Sequence, residues 1–220
     1  MKTKLAIAAL LSALFINVAS AEDQKVTGNV STKYTSDYHR RGVELSAEAI
    51  QAQVGFNVDV GSIDIFGDFS TNQGTDNDTD TDELTVGVGT GFLEDKLNAY
   101  IGVYNTDTSD TGSDLEAFVS LQVNTLLEPS VSVYRDTDDN LYTFEGQIGH
   151  TFDLQIVDVG ITGVLGNTEA TTSTDSTYTG ARAKISKTFD SLNVYTDIAV
   201  SDNDNRDNET MWGVGLSLNF

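Results

Sequence analysis

The chain has 220 residues, a formal net charge of −22 and no cysteine. A surface this acidic repels nucleic-acid phosphates, which argues against binding to DNA or RNA. The lack of cysteine excludes disulfides, thiol catalysis and cysteine-ligated metals. One proline in the whole chain fits a protein made mostly of β-ladder, because proline removes a backbone donor.

The first 21 residues predict a cleaved secretory signal peptide. Lys2 and Lys4 precede an apolar stretch, and Ala19 and Ala21 form an A-x-A cleavage site. The alternative is a membrane anchor, but residues 5–18 are shorter than the ~20 apolar residues that a spanning helix needs. We therefore expect residues 1–21 to be removed and residues 22–220 to form the mature domain.

The mature part has no second apolar run of helix-spanning length. If it lies in a membrane, it must cross as a closed barrel, in which every backbone polar group is paired. Segments that alternate apolar and polar residues predict an all-β, antiparallel, up-and-down transmembrane β-barrel of about 12 strands. The predicted strands are 26–35, 48–58, 62–71, 83–93, 97–105, 115–126, 130–136, 140–152, 154–166, 177–189, 192–201 and 210–220.

The predicted connections alternate in length. Five are short, and the others are longer and rich in aspartate, which is typical of barrels with short periplasmic turns and long acidic extracellular loops. The short turns are expected at Gly61, Glu94-Asp95, Leu127-Glu128, Asp153 and Asp190-Ser191.

The apolar face of the predicted strands carries aromatic residues at both ends, which predicts two girdles at the membrane interfaces. The girdle at the short-turn end comprises Phe92, Phe152, Phe189 and Phe220, and the girdle at the long-loop end comprises Phe69, Tyr142 and Trp212.

The last predicted strand resembles the terminal strand of outer-membrane barrel proteins, which ends in Phe after alternating apolar positions. Here that stretch runs from Trp212 to Phe220. The resemblance implies a Gram-negative outer membrane as the location and the barrel-insertion machinery as a partner. Outer-membrane lipid and lipopolysaccharide are the other expected partners.

The stretch Ser36-Asp37-Tyr38-His39-Arg40-Arg41-Gly42 resembles the S-D-Y-x-x-R-G start of the TorF-type porin family. This resemblance covers about 25 residues and implies a porin-like barrel without catalytic activity. We expect Asp37 to pair with Arg40 or Arg41, and Gly42 to allow a tight reversal. Two interpretations of the first loop stay open: a folded loop that fixes strand register, or a loop that constricts the pore or contacts a ligand.

The same phasing predicts which charged residues line the lumen. Three are basic and seven acidic, so a wet lumen would favour cations. The predicted pore-lining residues are Lys33, Asp64, Asp68, Glu83, Glu116, Glu145, Asp158, Arg182, Lys184 and Asp197.

The bore is the open question, because a barrel of ~8 strands is filled by its side chains and one of ~16 strands is a channel. In the alternative to a wet lumen, Arg182 and Lys184 pair with acids such as Asp197 and close the bore. Many inward glycines leave room for water, but Phe66 and Tyr178 also point inward. A narrow water-filled pore is favoured.

The outer loops hold most of the acid. Asp76, Asp78, Asp80 and Asp82 offer hard oxygen ligands that suit Ca²⁺ or another divalent cation, although the spacing of an EF-hand is absent. The alternative is a solvated acidic surface, and no other cofactor is expected.

His39 and His150 are the only histidines, and neither is paired by sequence with an obvious nucleophile, so we expect no enzyme. The predicted function is passive diffusion of small polar solutes or cations through a porin-like channel. The alternative is a non-conducting surface barrel whose acidic loops bind cations or a partner, with a receptor, structural or shielding role.

Overall fold

The computed structural model describes residues 25–41, 43–75, 79–110, 112–169 and 175–220, without the side chains of Arg206 and Asp207. The predicted signal peptide, together with Gly42, Asp76 and Asp78, lies outside the described residues. No helix within the described ranges is long and apolar enough to cross a membrane.

The described chain is composed of β-strands. They are β1 Lys25–Thr35, β2 Tyr38–Arg40, β3 Val43–Ser46, β4 Ala49–Val60, β5 Ile63–Gly74, β6 Thr81–Phe92, β7 Leu97–Thr108, β8 Gly112–Val123, β9 Ser130–Asp136, β10 Tyr142–Asp153, β11 Asp158–Thr168, β12 Ser176–Phe189, β13 Leu192–Asn203 and β14 Arg206–Asn219.

Twelve of these strands close into one antiparallel barrel in which sequence neighbours pair, and the short strands β2 and β3 form a separate hairpin. The barrel closes at β1, which pairs with β4 on one side and with β14 on the other. Val30, for example, lies opposite Val54 and Leu218. The predicted fold is confirmed: each predicted segment overlaps one barrel strand.

The structure differs from the prediction at two kinds of strand end. At the outer end the ladders continue into the acidic segments, so that only Asp204 and Asn205 separate β13 from β14. Main-chain pairing tolerates Asp and Thr where the side chains stay in water. At the opposite end, residues 154–157 form a turn, although the alternation of Leu154 and Ile156 predicts a strand.

The apolar side chains face outward. Few hydrophobic residues of the described chain are buried, whereas large apolar side chains are exposed on every barrel strand from β1 to β14. If the barrel lay in water, each such side chain would lose the roughly 1.5–3 kcal/mol of stabilisation that burial provides. This surface therefore requires a lipid environment.

The girdle prediction holds for the direction of these side chains. Phe92, Phe152, Phe189 and Phe220 are between 46% and 63% exposed and lie at the end with the short turns. At the opposite end, Trp212 and Tyr142 are exposed on the same outer face, and Trp212 packs on Tyr34 with ring centroids 5.5 Å apart. Phe69 occupies an outward position of β5 opposite Val54 and Leu84.

Candidate functional site in the barrel lumen

The segment between β1 and β4 folds into the barrel as the β2–β3 hairpin. Its two arginines reach Glu116 on β8, with Arg40 Nη2 to Oε2 at 2.9 Å and Arg41 Nη1 to Oε1 at 2.5 Å. Four strands separate β8 from β1 in one direction around the barrel and six in the other. The hairpin therefore crosses the lumen instead of extending from its rim.

The local sequence explains the tight reversal of the hairpin. Arg40 pairs with Val43 and His39 with Glu44, which leaves a two-residue connection. Arg41 has a φ of 51°, the left-handed conformation that such connections need. This turn places the two arginine side chains at the tip of the hairpin, where they meet the far wall.

Aromatic rings hold both guanidinium groups. Arg40 lies 4.6 Å from the centroid of Tyr104, and Arg41 lies 4.1 Å from that of Tyr134. Burial lowers the pKa of Arg41, but the hydrogen bonds and charge of Glu116 outweigh it and hold that pKa above its ordinary value. A cation between a carboxylate and a ring face is a strong anchor.

Further contacts attach the base and side of the hairpin. His39 Nε2 lies 2.6 Å from Glu209 Oε2 on β14. Tyr38 bonds to Glu83 on β6, and burial followed by the charge of Glu83 raises the pKa of Tyr38 far above its ordinary value. The hairpin thus contacts β6, β8 and β14 in different parts of the barrel wall.

The residues of the family-like motif have distinct structural roles. Trp212 donates its backbone N–H to Ser36 Oγ at 3.0 Å, and Ser36 donates its backbone N–H to the carbonyl of Trp212 at 2.9 Å, which fastens β1 to β14. Asp37 accepts a hydrogen bond from Ser36. The expected pairing of Asp37 with Arg40 or Arg41 is wrong, because both arginines reach across the lumen to Glu116.

Three predicted lumen acids form an acidic wall on β5 and β6, and neutral groups hold all of them. Asp64 accepts from Asn57 at 3.2 Å, and Asp68 accepts from Gln53 at 2.8 Å. Glu83 accepts from the Tyr104 hydroxyl at 2.5 Å. Among the described residues, none of the three carboxylates forms an ion pair, so no basic side chain neutralises this wall.

The three predicted lumen cations form a basic wall on β1 and β12. Lys33 Nζ lies 3.0 Å from Asp197 Oδ2, and Arg182 bonds to the same oxygen. Lys184 instead lies 4.2 Å from the centroid of Tyr195. The sequence left open a closed interior in which Arg182 and Lys184 both pair with acids such as Asp197. In the structure Arg182 bonds to Asp197, but Lys184 lies over the ring of Tyr195.

The remaining predicted lumen acids have different surroundings. Glu116 is only 5% exposed and serves as the anchor of the hairpin. Glu145 accepts a hydrogen bond from the Tyr178 hydroxyl at 2.7 Å. Asp158 begins β11 opposite Asp153 and Ser186, at the end with the short turns.

Inward aromatic residues lie flat over neighbouring glycines. A methyl group added at Gly89 would lie 2.6 Å from Cδ1 of Tyr100, and one added at Gly102 would lie 2.8 Å from Cε1 of Phe118. The ring of Tyr195 covers Gly215 in the same way. The glycines therefore give the rings room along the wall, which keeps them out of the centre of the bore.

Space remains beside the hairpin. A cavity of about 280 Å³ lies between His39 and Arg41 of the hairpin and a wall that includes Glu145 and Arg182. Another of about 260 Å³, nearer the short turns, is lined by polar residues such as Gln122 and Ser130. The hairpin narrows the lumen without filling it.

The sequence did not place the hairpin inside the barrel. Arg40, Arg41 and His39 are lumen residues that strand phasing misses, because phasing applies only to the barrel strands. The available signal was the high density of arginine and aromatic side chains in a loop of an otherwise acidic chain.

Asp80 and Asp82 are the candidate calcium ligands that the structure describes. The backbone N–H of Asp80 donates to Ser109 Oγ at 3.1 Å, and Asp82 lies in β6 opposite Asp107. Within the described ranges, no three acidic or histidine side chains come together as a metal site would require. Calcium binding by the loops stays a prediction.

No protein-family model and no curated protein matches the chain. Solved structures do match: the KdgM porin has a TM-score of 0.57 at 13% identity, covering 88% of this chain and 99% of its own. A structure of that porin in complex with disordered oligogalacturonate gives the same values. The NanC porin has a TM-score of 0.55 at 13% identity, covering 87% of this chain and 98% of its own. The chain therefore has the fold of these outer-membrane porins.

Proposed function

We propose that the chain is a porin-like channel for the passive diffusion of small polar solutes. The observation that carries this proposal is the lumen itself, which the hairpin narrows but which retains a cavity of about 280 Å³ with charged and polar groups in its lining. The aromatic rings that lie against glycines preserve this space. The similarity of the fold to the KdgM and NanC porins supports the same function.

The proposed location is the outer membrane, reached with the signal peptide predicted in residues 1–21. The exposed apolar surface of the barrel would contact outer-membrane lipid and, at the loop end, lipopolysaccharide. The last strand would be the part that the barrel-insertion machinery reads. Membership of the TorF-type porin family is part of the same proposal and is supported by the sequence of the hairpin segment.

The acidic wall supports a preference for cations along part of the lumen. Asp64, Asp68 and Glu83 bond to neutral donors, so their charges attract mobile cations. Glu116 contributes less than the sequence suggested, because Arg40 and Arg41 neutralise it.

The anchors of the hairpin favour a second candidate function. Ion pairs and ring contacts fix the hairpin across the bore, so a barrel held permanently shut would be a non-conducting surface protein whose acidic loops bind cations or a partner. Neither candidate requires catalysis, and both fit the expectation that the chain is not an enzyme.

Solute uptake by vesicles separates the two candidates. Purified protein is folded into lipid vesicles that contain an impermeant sugar polymer, and swelling is followed in isotonic glycine, glucose and sucrose. A channel narrowed by the hairpin gives rapid swelling in glycine and slower swelling in the larger solutes. Swelling equal to that of protein-free vesicles in all three solutes would favour the non-conducting barrel.

A further inference from the structure

The basic wall contains more positive charge than its own carboxylate balances. Lys33 and Arg182 share one oxygen of Asp197, whose side chain is 3% exposed, and Lys184 contacts the ring of Tyr195. Within the described part of the chain, no second carboxylate lies within ion-pair distance of these three cations. Two positive charges are therefore left over at one place in the lumen.

The unbalanced positive charge faces open space at Arg182. The Arg182 side chain is 44% exposed, in contrast to Asp197 beneath it, and it lines the cavity beside the hairpin. Polar side chains of Gln147, Thr162 and Ser201 line the same cavity. These groups can donate hydrogen bonds to the hydroxyls of a solute, while the cations attract its charged end.

The other arginine of the cavity already binds a carboxylate, whereas the carboxylate of the cavity has a neutral partner. Arg41 is bound to Glu116, and Glu145 accepts the hydroxyl hydrogen of Tyr178. The acidic wall lies on β5 and β6, and the strands β13, β14, β1 and β4 separate β5 from β12, which carries Arg182 and Lys184. Arg182 and Lys184 are therefore the groups available to an incoming anion.

We propose that Lys33, Arg182 and Lys184 form a binding site for the oxyanion, a carboxylate or a phosphate, of a small polar solute in the lumen. Guanidinium and ammonium groups are the side chains that bind such groups through charge-assisted hydrogen bonds. This proposal rests on the proposed function only to explain how the solute reaches the site, because binding itself does not require transport. Cations would follow the acidic wall, and the anionic group would bind on the opposite one.

Binding is measured by isothermal titration calorimetry on the folded protein in detergent, with three sugars of similar size as probes. Glucuronate carries a carboxylate, glucose 6-phosphate carries a phosphate, and glucose carries neither. We expect one or both charged sugars to bind at least about tenfold more tightly than glucose, and their relative affinities identify the preferred oxyanion. Equal or weaker binding of both charged sugars than of glucose would overturn the proposal.

Variants locate the site. The double variant R182Q/K184Q should lose about tenfold in affinity for the preferred charged sugar, because its charge-assisted bonds are removed. K187Q is the control: it removes one ammonium from the same strand, but that ammonium lies over Phe189 near the short turns. Unchanged affinity in the double variant, with its barrel intact by circular dichroism, would also overturn the site. Binding without vesicle swelling would refute only the channel.

Discussion

Arg41 binds Glu116 through two hydrogen bonds, of 2.5 Å from Nη1 to Oε1 and 2.8 Å from Nη2 to Oε2, although β1, from which the hairpin starts, and β8, which carries Glu116, lie on opposite sides of the barrel. Arg40 adds a third contact at 2.9 Å. One buried carboxylate therefore holds the tip of the hairpin. We therefore expect the opening of the lumen to depend on this contact.

Removal of the charge of Glu116 should release the hairpin. In E116Q two buried arginines lose their carboxylate, and the loss of one partner of a buried ion pair costs roughly 3–5 kcal/mol. We expect a larger and noisier single-channel conductance in E116Q than in the wild type. The control E94Q makes the same change in an exposed turn, where the side chain is 92% accessible. A conductance equal to that of the wild type in E116Q would show that the hairpin has other sufficient anchors.

The acidic wall should determine ion preference. In D64N/D68N the two side chains keep their size and lose their charge, so the reversal potential in a salt gradient should move towards that of a less cation-preferring channel. D190N, in the turn between β12 and β13, is the control. An unmoved reversal potential in the double variant would place the selective charges elsewhere.

Glycine should be required where an inward ring lies on it. At Gly89 an added methyl group meets the ring of Tyr100 at 2.6 Å, whereas the nearest backbone atom is 3.6 Å away. G89A should therefore push the ring into the bore and reduce conductance while the barrel still folds. Conductance should recover in G89A/Y100A, and G146A, whose nearest neighbour is 3.9 Å away, should match the wild type. No reduction in G89A would mean that the ring has another position along the wall.

Phe220 should contribute to closure of the barrel. Its backbone N–H donates to the carbonyl of Gly28 at 2.9 Å, the N–H of Gly28 donates back at 2.8 Å, and its ring covers Gly28. We expect F220A to fold into vesicles more slowly than F92A, as followed by the heat-modifiable shift on gels. F92A is the control because it removes a girdle ring that lies away from the pairing of β1 with β14. Equal rates would assign Phe220 a girdle role alone.

The sequence predicted the barrel well because its signal is repeated. Alternation recurs in every strand, and a slip of one residue would turn the apolar set of that strand towards the lumen. The same periodicity placed Lys33, Arg182 and Asp197 on one face. It erred at Leu154 and Ile156, because two apolar residues in a turn have the spacing of a strand.

The hairpin could not be predicted in the same way. Its position depends on contacts between residues about 75 positions apart in the chain, which no local pattern encodes. Strand phasing assigned Glu116 to the lumen correctly but could not show that Arg40 and Arg41 cover it. Of the two interpretations of the first loop, a fold that fixes register understates how far this segment enters the barrel.

Calcium binding by the acidic loops has its own test. If Asp80 and Asp82 belong to a specific site with their neighbours, millimolar calcium should raise the melting temperature or protect the loop between β5 and β6 from proteolysis, and magnesium should not. The same melting temperature and the same proteolysis with calcium, magnesium and chelator would mean that these residues form only a solvated acidic surface.

Single-channel recording in planar bilayers shows whether the barrel conducts ions and whether the hairpin limits that conductance. We expect discrete steps of small conductance from the folded wild-type protein and larger steps when E116Q frees the hairpin. Folded, inserted protein that gives no steps in either form would contradict the claim that this barrel is a channel constricted by its first loop.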